Sequence, residues 1–225
     1  GRFAGMWLRT DDVLGVNLTE TNFTDAVKES MAQEVRELYK HVFYTSNVPF
    51  SEFYSGDYTL LDSTLSDFYG IPGGGNNHLQ FQLTPTTQRG GIITTGAFMA
   101  VNAHMDRTAP IKRSAHMRED MLCQIIPAPP SSGLGADRTV NQAQVDARMP
   151  TGDLTTSEFY EIQTSHPACD ACHLHIINPA FGMDDFDNIG LQRQVLGNGD
   201  VVQQGLGTNG PVSYTPLTLP TPAHV

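Results

Sequence analysis

The chain has few basic residues, few cysteines and no long apolar run, and each scarcity excludes something. Its 225 residues include 13 Lys and Arg against 24 Asp and Glu, a formal charge of −11. Phosphate binding needs a surplus of cations, so nucleic acid is not an expected partner. No apolar run approaches the ~18–20 residues that span a bilayer, so no transmembrane segment is expected in this stretch. Three cysteines are too few for a disulfide scaffold, which makes their spacing more informative than their number. Charged residues are also sparse (16%), while Gly (21) and Pro (14) are plentiful, so long loops and modest helices are expected. The apolar fraction of 39% can still fill the core of one domain or two small ones. The first residues, Gly1 to Trp7, carry no signal-peptide pattern and read like the interior of a domain.

Periodicity places the helices. From Thr24, the apolar residues Val27, Met31, Val35, Leu38, Val42 and Phe43 recur at three- and four-residue steps. They predict one helix face running to about Tyr44, capped by Thr24 or Asn22. Further helices are predicted over Pro49–Tyr54, Asp62–Tyr69, Gln88–Ala103, Pro110–Cys123 and Thr155–Thr164, with Pro110 at the favoured first-turn position. His78–Leu83 alternates like a short strand, and Asn198-Gly199 predicts a small hairpin between Leu191–Leu196 and Val201–Gln204. The run PAPPSSGLG at 127–135 reads as a linker. Cys123, in MLCQII, is expected to be a small core residue.

The segment with chemistry in it is Cys169-Asp170-Ala171-Cys172-His173, a C-x-x-C-H. On a helical turn, two thiols at that spacing can each form a thioether to a haem vinyl group, and the adjacent imidazole can take the iron as proximal ligand. With three Cys and eight His, chance would produce the pattern in roughly one such chain in a thousand. Zinc held by Cys169, Cys172, His173 and either His166 or His175 is a competing reading, but adjacent ligands suit zinc spacings poorly. A dithiol redox pair or a plain disulfide would not need His173.

The flanks carry a resemblance. HPACDACHLHIINPAFGMDDFDNIGLQR is similar to the C-terminal haem segment of a family of exported cytochrome c-domain proteins of planctomycetes and myxobacteria, built of several modules of unknown function. DYTLLDSTLSDFYGI, RGGIITTGAFMAVNAHMDRTAPIKR and MLCQIIPAPP resemble that family's upstream stretches in the same order, so the likeness runs from about Phe23 to Gln204. It implies export, attachment of one covalent haem c at Cys169 and Cys172, ligation by His173, and further modules beyond both ends. Family members often carry a His before the haem cysteines where this chain has Gln163, with His166 three residues on.

Around the iron, Met183 is the nearest downstream candidate for a sixth ligand. Met99, Met105, Met117, Met121, His104, His116, His166 and His175 are alternatives, and an open or water-bound position is another. Phe181 and Phe186 are expected as walls of an apolar haem pocket or as plain core. Asp184, Asp185 and Asp187 read as a solvated, capping turn rather than catalytic carboxylates. Arg107 or Arg113 could pair with haem propionates, the competing reading being helix-surface ion pairs.

The expectation is a mainly α chain: a helical domain (1–126), a Pro/Gly-rich linker (127–154), and a small haem-c-binding helical module with a short β-hairpin (155–210). The last fifteen residues (211–225), with four prolines and no period, read as a stiffened linker or as non-native sequence resembling adapter read-through. The expected function is electron transfer through one haem c, the partner being a redox protein or missing domains of the same chain. A peroxidase-like haem enzyme with an open sixth position and a metal-free interaction module are the alternatives. Haem c is attached outside the cytoplasm, so a periplasmic or cell-surface location follows from the motif.

Overall fold

The computed structural model describes residues 2–45, 47–75, 81–85, 89–127, 143, 147, 156–165, 173 and 182–193. The described chain is mainly α with one small two-stranded sheet. In order come α1 (Arg2–Trp7), a 3-10 segment (Thr10–Gly15), α2 (Asp25–Lys40), α3 (Glu52–Ser55), β1 (Tyr58–Leu61) and α4 (Ser63–Tyr69). There follow β2 (Gln82–Pro85), a 3-10 turn (Ile92–Thr94), α5 (Gly96–Val101), α6 (Pro110–His116) and α7 (Thr156–Thr164). No described helix is long and apolar enough to cross a membrane.

α2 is the axis of the core. Its predicted stripe of Val27, Met31, Val35 and Leu38 is buried, and the helix runs on into a π-helical turn at His41–Thr45. Thr24 caps it, accepting from Val27 N at 3.4 Å, and Asp25 and Lys40 sit at the ends that suit the helix dipole. α4 starts on Asp62, whose Oδ1 accepts from Leu65 N at 2.8 Å, and stops at Gly70 in the left-handed conformation (φ 66°). The other oxygen of Asp62 accepts from Ser30 Oγ of α2 at 2.6 Å, so one buried carboxylate caps a helix and ties it to the core. Asp62→Ala should therefore cost about 2–3 kcal/mol in urea unfolding, more than an exposed cap. A loss under about 0.5 kcal/mol would show that water takes over both bonds.

α2 also buries Glu34 completely. Thr59 Oγ1 and Tyr69 Oη (2.8 Å) donate to its two oxygens, Gly96 N donates to Tyr69 Oη at 3.0 Å, and the Arg89 guanidinium lies 3.6 Å above the Tyr69 ring. Burial pushes the Glu34 carboxyl up; the charge of Arg89 and the two hydroxyl donors pull against it. β1, α2, α4 and α5 are thereby joined through one acidic group.

Several sequence expectations shift. β1 pairs antiparallel with β2, Tyr58 opposite Pro85 and Leu61 opposite Gln82. The strand expected at His78–Leu83 thus sits at 82–85, and 76–80 lie outside the described residues. The continuous helix expected over Gln88–Ala103 is broken. Gly91 has φ 64°, and a Cβ there would lie 2.3 Å from the Tyr54 carbonyl carbon, so the backbones touch where a helix would need room. Only Glu52–Ser55 of the predicted Pro49–Tyr54 stretch and its neighbour is helical. α6 begins on Pro110 as expected and passes into a π-helical turn at Met117–Met121. Cys123 then turns into the left-handed region (φ 52°) and is exposed, which corrects its expected place in the core. The hairpin at Asn198-Gly199 and the tail at 211–225 lie outside the described residues, as does the linker apart from Pro127, Ala143 and Ala147.

Candidate haem-attachment segment and its arginine-held frame

Cys169, Cys172 and Phe181 lie outside the described residues, as do His166 and His175. His173 is helical and half-buried. Burial pushes its pKa below the ordinary imidazole value, and its buried Nδ1 has no hydrogen-bond partner among the described residues. A neutral imidazole is the form that ligates a metal, so this side chain suits the proximal role of a C-x-x-C-H. No group of three His, Cys, Asp or Glu able to hold a metal ion occurs among the described residues.

A frame flanks the motif on either side. Upstream, α7 buries Phe159 and Tyr160, and Tyr160 Oη donates to the Thr108 carbonyl at 3.4 Å. Burial pushes the Tyr160 phenol up to about 12, so it stays a neutral donor. Downstream, residues 182–193 form a tight turn held by Arg113 of α6. This arginine is 0% exposed. Its Nη1 donates to the carbonyls of Met183 and Phe186, both at 3.0 Å, and its Nη2 to that of Asp187 at 2.6 Å. Burial lowers its pKa to about 10, still cationic at neutral pH, with Asp184 and Asp187 favouring the charge.

A second arginine closes the other end of the turn. Arg89 donates to the Gly190 carbonyl and, at 2.6 Å, to that of Thr94, between the rings of Tyr69 (3.6 Å) and Phe186 (4.9 Å). Gly190 (φ 80°) packs on Gly96, where a Cβ would lie 2.6 Å from the Gly96 Cα, so only glycine fits. Asn188 Nδ2 donates to Glu20 Oε1 at 2.7 Å.

The structure assigns the expected residues unequally. Met183 (2% exposed) and Phe186 are buried in the same hydrophobic core as α2 and α5. Of the acidic run, Asp185 is exposed and Asp187 Oδ1 accepts from Ile189 N and Leu191 N at 3.0 and 2.8 Å, as a capping turn requires, whereas Asp184 is buried and ion-paired with Arg193 at 3.1 Å. Among the other sixth-ligand candidates, Met99 and Met121 are core side chains. His116 is 2% exposed and receives Asn102 Nδ2 on Nδ1 at 2.7 Å. His104 is half-buried and Met105 is 66% exposed; both belong to the turn bridged by Ala103 and Thr108. Arg113 is not a helix-surface ion pair: it is buried, with both Nη atoms on backbone carbonyls. Sequence reasoning missed the carbonyl-binding role of Arg89 and Arg113. The available signal was two cations set among apolar and glycine neighbours (RGGII, PIKRSA) in a chain with few cations.

With this geometry in place, comparison with known families gives two consecutive likenesses. Residues 1–71 match PSD4, a protein family of unknown function (DUF1592), and residues 89–195 match PSCyt3, a protein family of unknown function (DUF1588). Both are cytochrome-c-associated module families of planctomycete and myxobacterial type. No curated protein and no solved structure matches the chain. The C-x-x-C-H, Arg89, Arg113 and the turn they hold fall in the second matched segment, and Glu34 and Tyr69 in the first. The stacking of Arg89 on Tyr69 and the Asn188–Glu20 bond therefore join one matched segment to the other.

Proposed function

We propose that the chain binds one haem c covalently and works as an electron-transfer module of a larger exported protein. The observation that carries this reading is the C-x-x-C-H at 169–173 inside a segment similar to a cytochrome-c-associated family. When bound, haem c supplies one-electron chemistry by cycling its iron between the ferrous and ferric states. The chain's own residues have narrower tasks. Cys169 and Cys172 give the thioether bonds, and His173 gives a neutral imidazole to the iron. α7 on one side and the arginine-held turn on the other tie both flanks of this segment to the helical core. Phe186, with Phe181 as the second expected wall, contributes apolar surface that excludes water and raises the reduction potential. Met183 remains the sequence-derived candidate for the sixth ligand, although its burial also suits a purely structural role. Location follows the chemistry: haem c is attached outside the cytoplasm, which carries export with it.

The test is the absorption spectrum of the chain produced with export and haem-attachment machinery, oxidised and reduced, with and without carbon monoxide. A covalent, low-spin haem indifferent to carbon monoxide is expected, and Cys169→Ala with Cys172→Ala should abolish attachment. A covalent haem that binds carbon monoxide would replace electron transfer by peroxidase-like chemistry. A folded chain without haem would sink the reading and leave the cysteine pair structural.

A further inference from the structure

Exposed apolar side chains are gathered on one face of the helical core. Among the described residues nine large hydrophobic side chains stand exposed, and six of them lie here: Phe3, Met6, Phe43, Tyr44, Phe50 and Leu122. Phe3 and Met6 are three residues apart and share the outer side of α1, while Ala4 is buried. Ring contacts join α1 to the π-helical turn after α2 and to the turn before α3. Tyr39 lies 6.1 Å from Phe3, 4.3 Å from Phe43 and 6.1 Å from Tyr44, and Phe43 lies 5.2 Å from Phe50. Beneath them the buried Phe53 meets Trp7, Tyr39, Phe43 and Phe50 at 5.8–6.4 Å between ring centres. Trp7 Nε1 donates to the Asp120 carbonyl at 2.8 Å, which brings Leu122, two residues on, to the same side as α1.

The six side chains are 41–75% exposed, and an aromatic side chain presents about 150–250 Å², so the face offers on the order of 700 Å². The largest apolar patch on an ordinary monomer is about 300–600 Å². A stable dimer takes about 800 Å² from each partner, polar rim included. The area is that of an interface. Charge points the same way. None of the six is charged, and beside them Arg9 pairs with Asp120, Lys40 pairs with Glu37 at 3.2 Å, and Arg2 of α1 is offset by Glu52 of α3. In a chain of net charge −11 these surroundings are close to neutral, so two copies repel least when they meet here. An aromatic, uncharged centre with paired charges beside it is also the composition of an interface core and its rim. An anionic lipid surface would instead call for a cluster of Lys and Arg.

We infer that two copies of the chain associate through this face, about a two-fold axis that sets Phe3, Tyr44 and Phe50 of one copy against the same face of its partner. Such a contact needs one self-complementary patch and closes at two copies. It is independent of the haem reading.

The test is sedimentation of the full chain over a series of concentrations. A mass rising from one chain to two is expected, with no larger species. Tyr44→Glu and Met6→Glu each set a carboxylate on the face without emptying a core position, and each should weaken association by about tenfold or more. Met105→Glu makes the same charge change on an exposed side chain outside the face and should leave association unchanged. Circular dichroism checks that the variants fold, and the two substitutions sit on different elements, so one keeps the test decisive if the other misfolds. A single chain at every concentration would overturn the inference, as would open-ended growth. A dimer that both variants leave intact would place the contact on another face and overturn it too. Equal weakening by Met105→Glu would do the same, since net charge alone would then explain the effect. A single chain that floats with phosphatidylcholine vesicles would give the face to a membrane surface instead of a second copy.

Discussion

Replacing Arg113 with Met is expected to destabilise the chain by about 4 kcal/mol or more, in the range reached only when a buried polar network is broken. Three carbonyls, those of Met183, Phe186 and Asp187, would lose their donor together inside the protein. Each buried acceptor left unpaired costs about 1–3 kcal/mol. The sum is held down because a freed turn can move toward water. That movement is itself a readout: once the turn detaches, Arg193, now buried against Asp184, becomes a trypsin site. Urea unfolding should show the lower midpoint and limited proteolysis the new cut. Arg113→Lys should fall between, since an ammonium keeps the charge and three donors but not the planar fork. A loss of less than about 1 kcal/mol with no new cleavage would mean that Arg89, the Arg193–Asp184 pair, the Asn188–Glu20 bond and the burial of Met183, Phe186 and Ile189 hold the turn without Arg113.

The parts of this fold that were legible in the sequence are those set by local rules. α2 is a sixteen-residue helix with an apolar stripe and a capping threonine, and both features can be read without knowing what the helix packs on. α4 has its capping aspartate and terminal glycine, and α6 its first-turn proline. What failed to show depends on partners distant in sequence. Gly91 reads as a tolerable helix residue until the Tyr54 backbone is found against it. Asp187 reads as a surface carboxylate until its turn is folded under Arg113, 74 residues away. Arg89 and Glu34 lie 55 positions apart and are brought together around the Tyr69 ring. For the candidate site the balance is reversed. The C-x-x-C-H is evident from spacing alone, because its five residues are consecutive in the chain. The groups that frame it come from α6, α7 and the 182–193 turn, which no sequence window holds together.

Acidification should expose the cost of His116. At 2% exposure this imidazole packs at 5.0 Å from the Phe98 ring and accepts the Asn102 amide on Nδ1, a bond that requires an unprotonated nitrogen. Its Nε2 lies 3.4 Å from Asp120, whose carboxylate is already taken by Arg9. Burial, then the charge of Arg9, lower its pKa from 6.5 to about 4. The sign follows from the depressed value. Below pH 6.5 the unfolded chain accepts a proton that the folded chain refuses, so stability falls with pH and the loss is complete near pH 4. That difference is worth about 3 kcal/mol. Glu34 works in the opposite direction. Its pKa is raised in the fold, so protonation there adds stability as pH falls through the raised value. The two effects overlap in the unsubstituted chain, and His116→Leu separates them. Removing the imidazole imposes a fixed packing cost at every pH but deletes its acid-dependent part. The stability gap between the two chains, measured by urea unfolding, should therefore narrow by about 3 kcal/mol between pH 7 and pH 4. A gap that stays constant over that range would mean that Asp120 lets the buried ring accept its proton in the folded state.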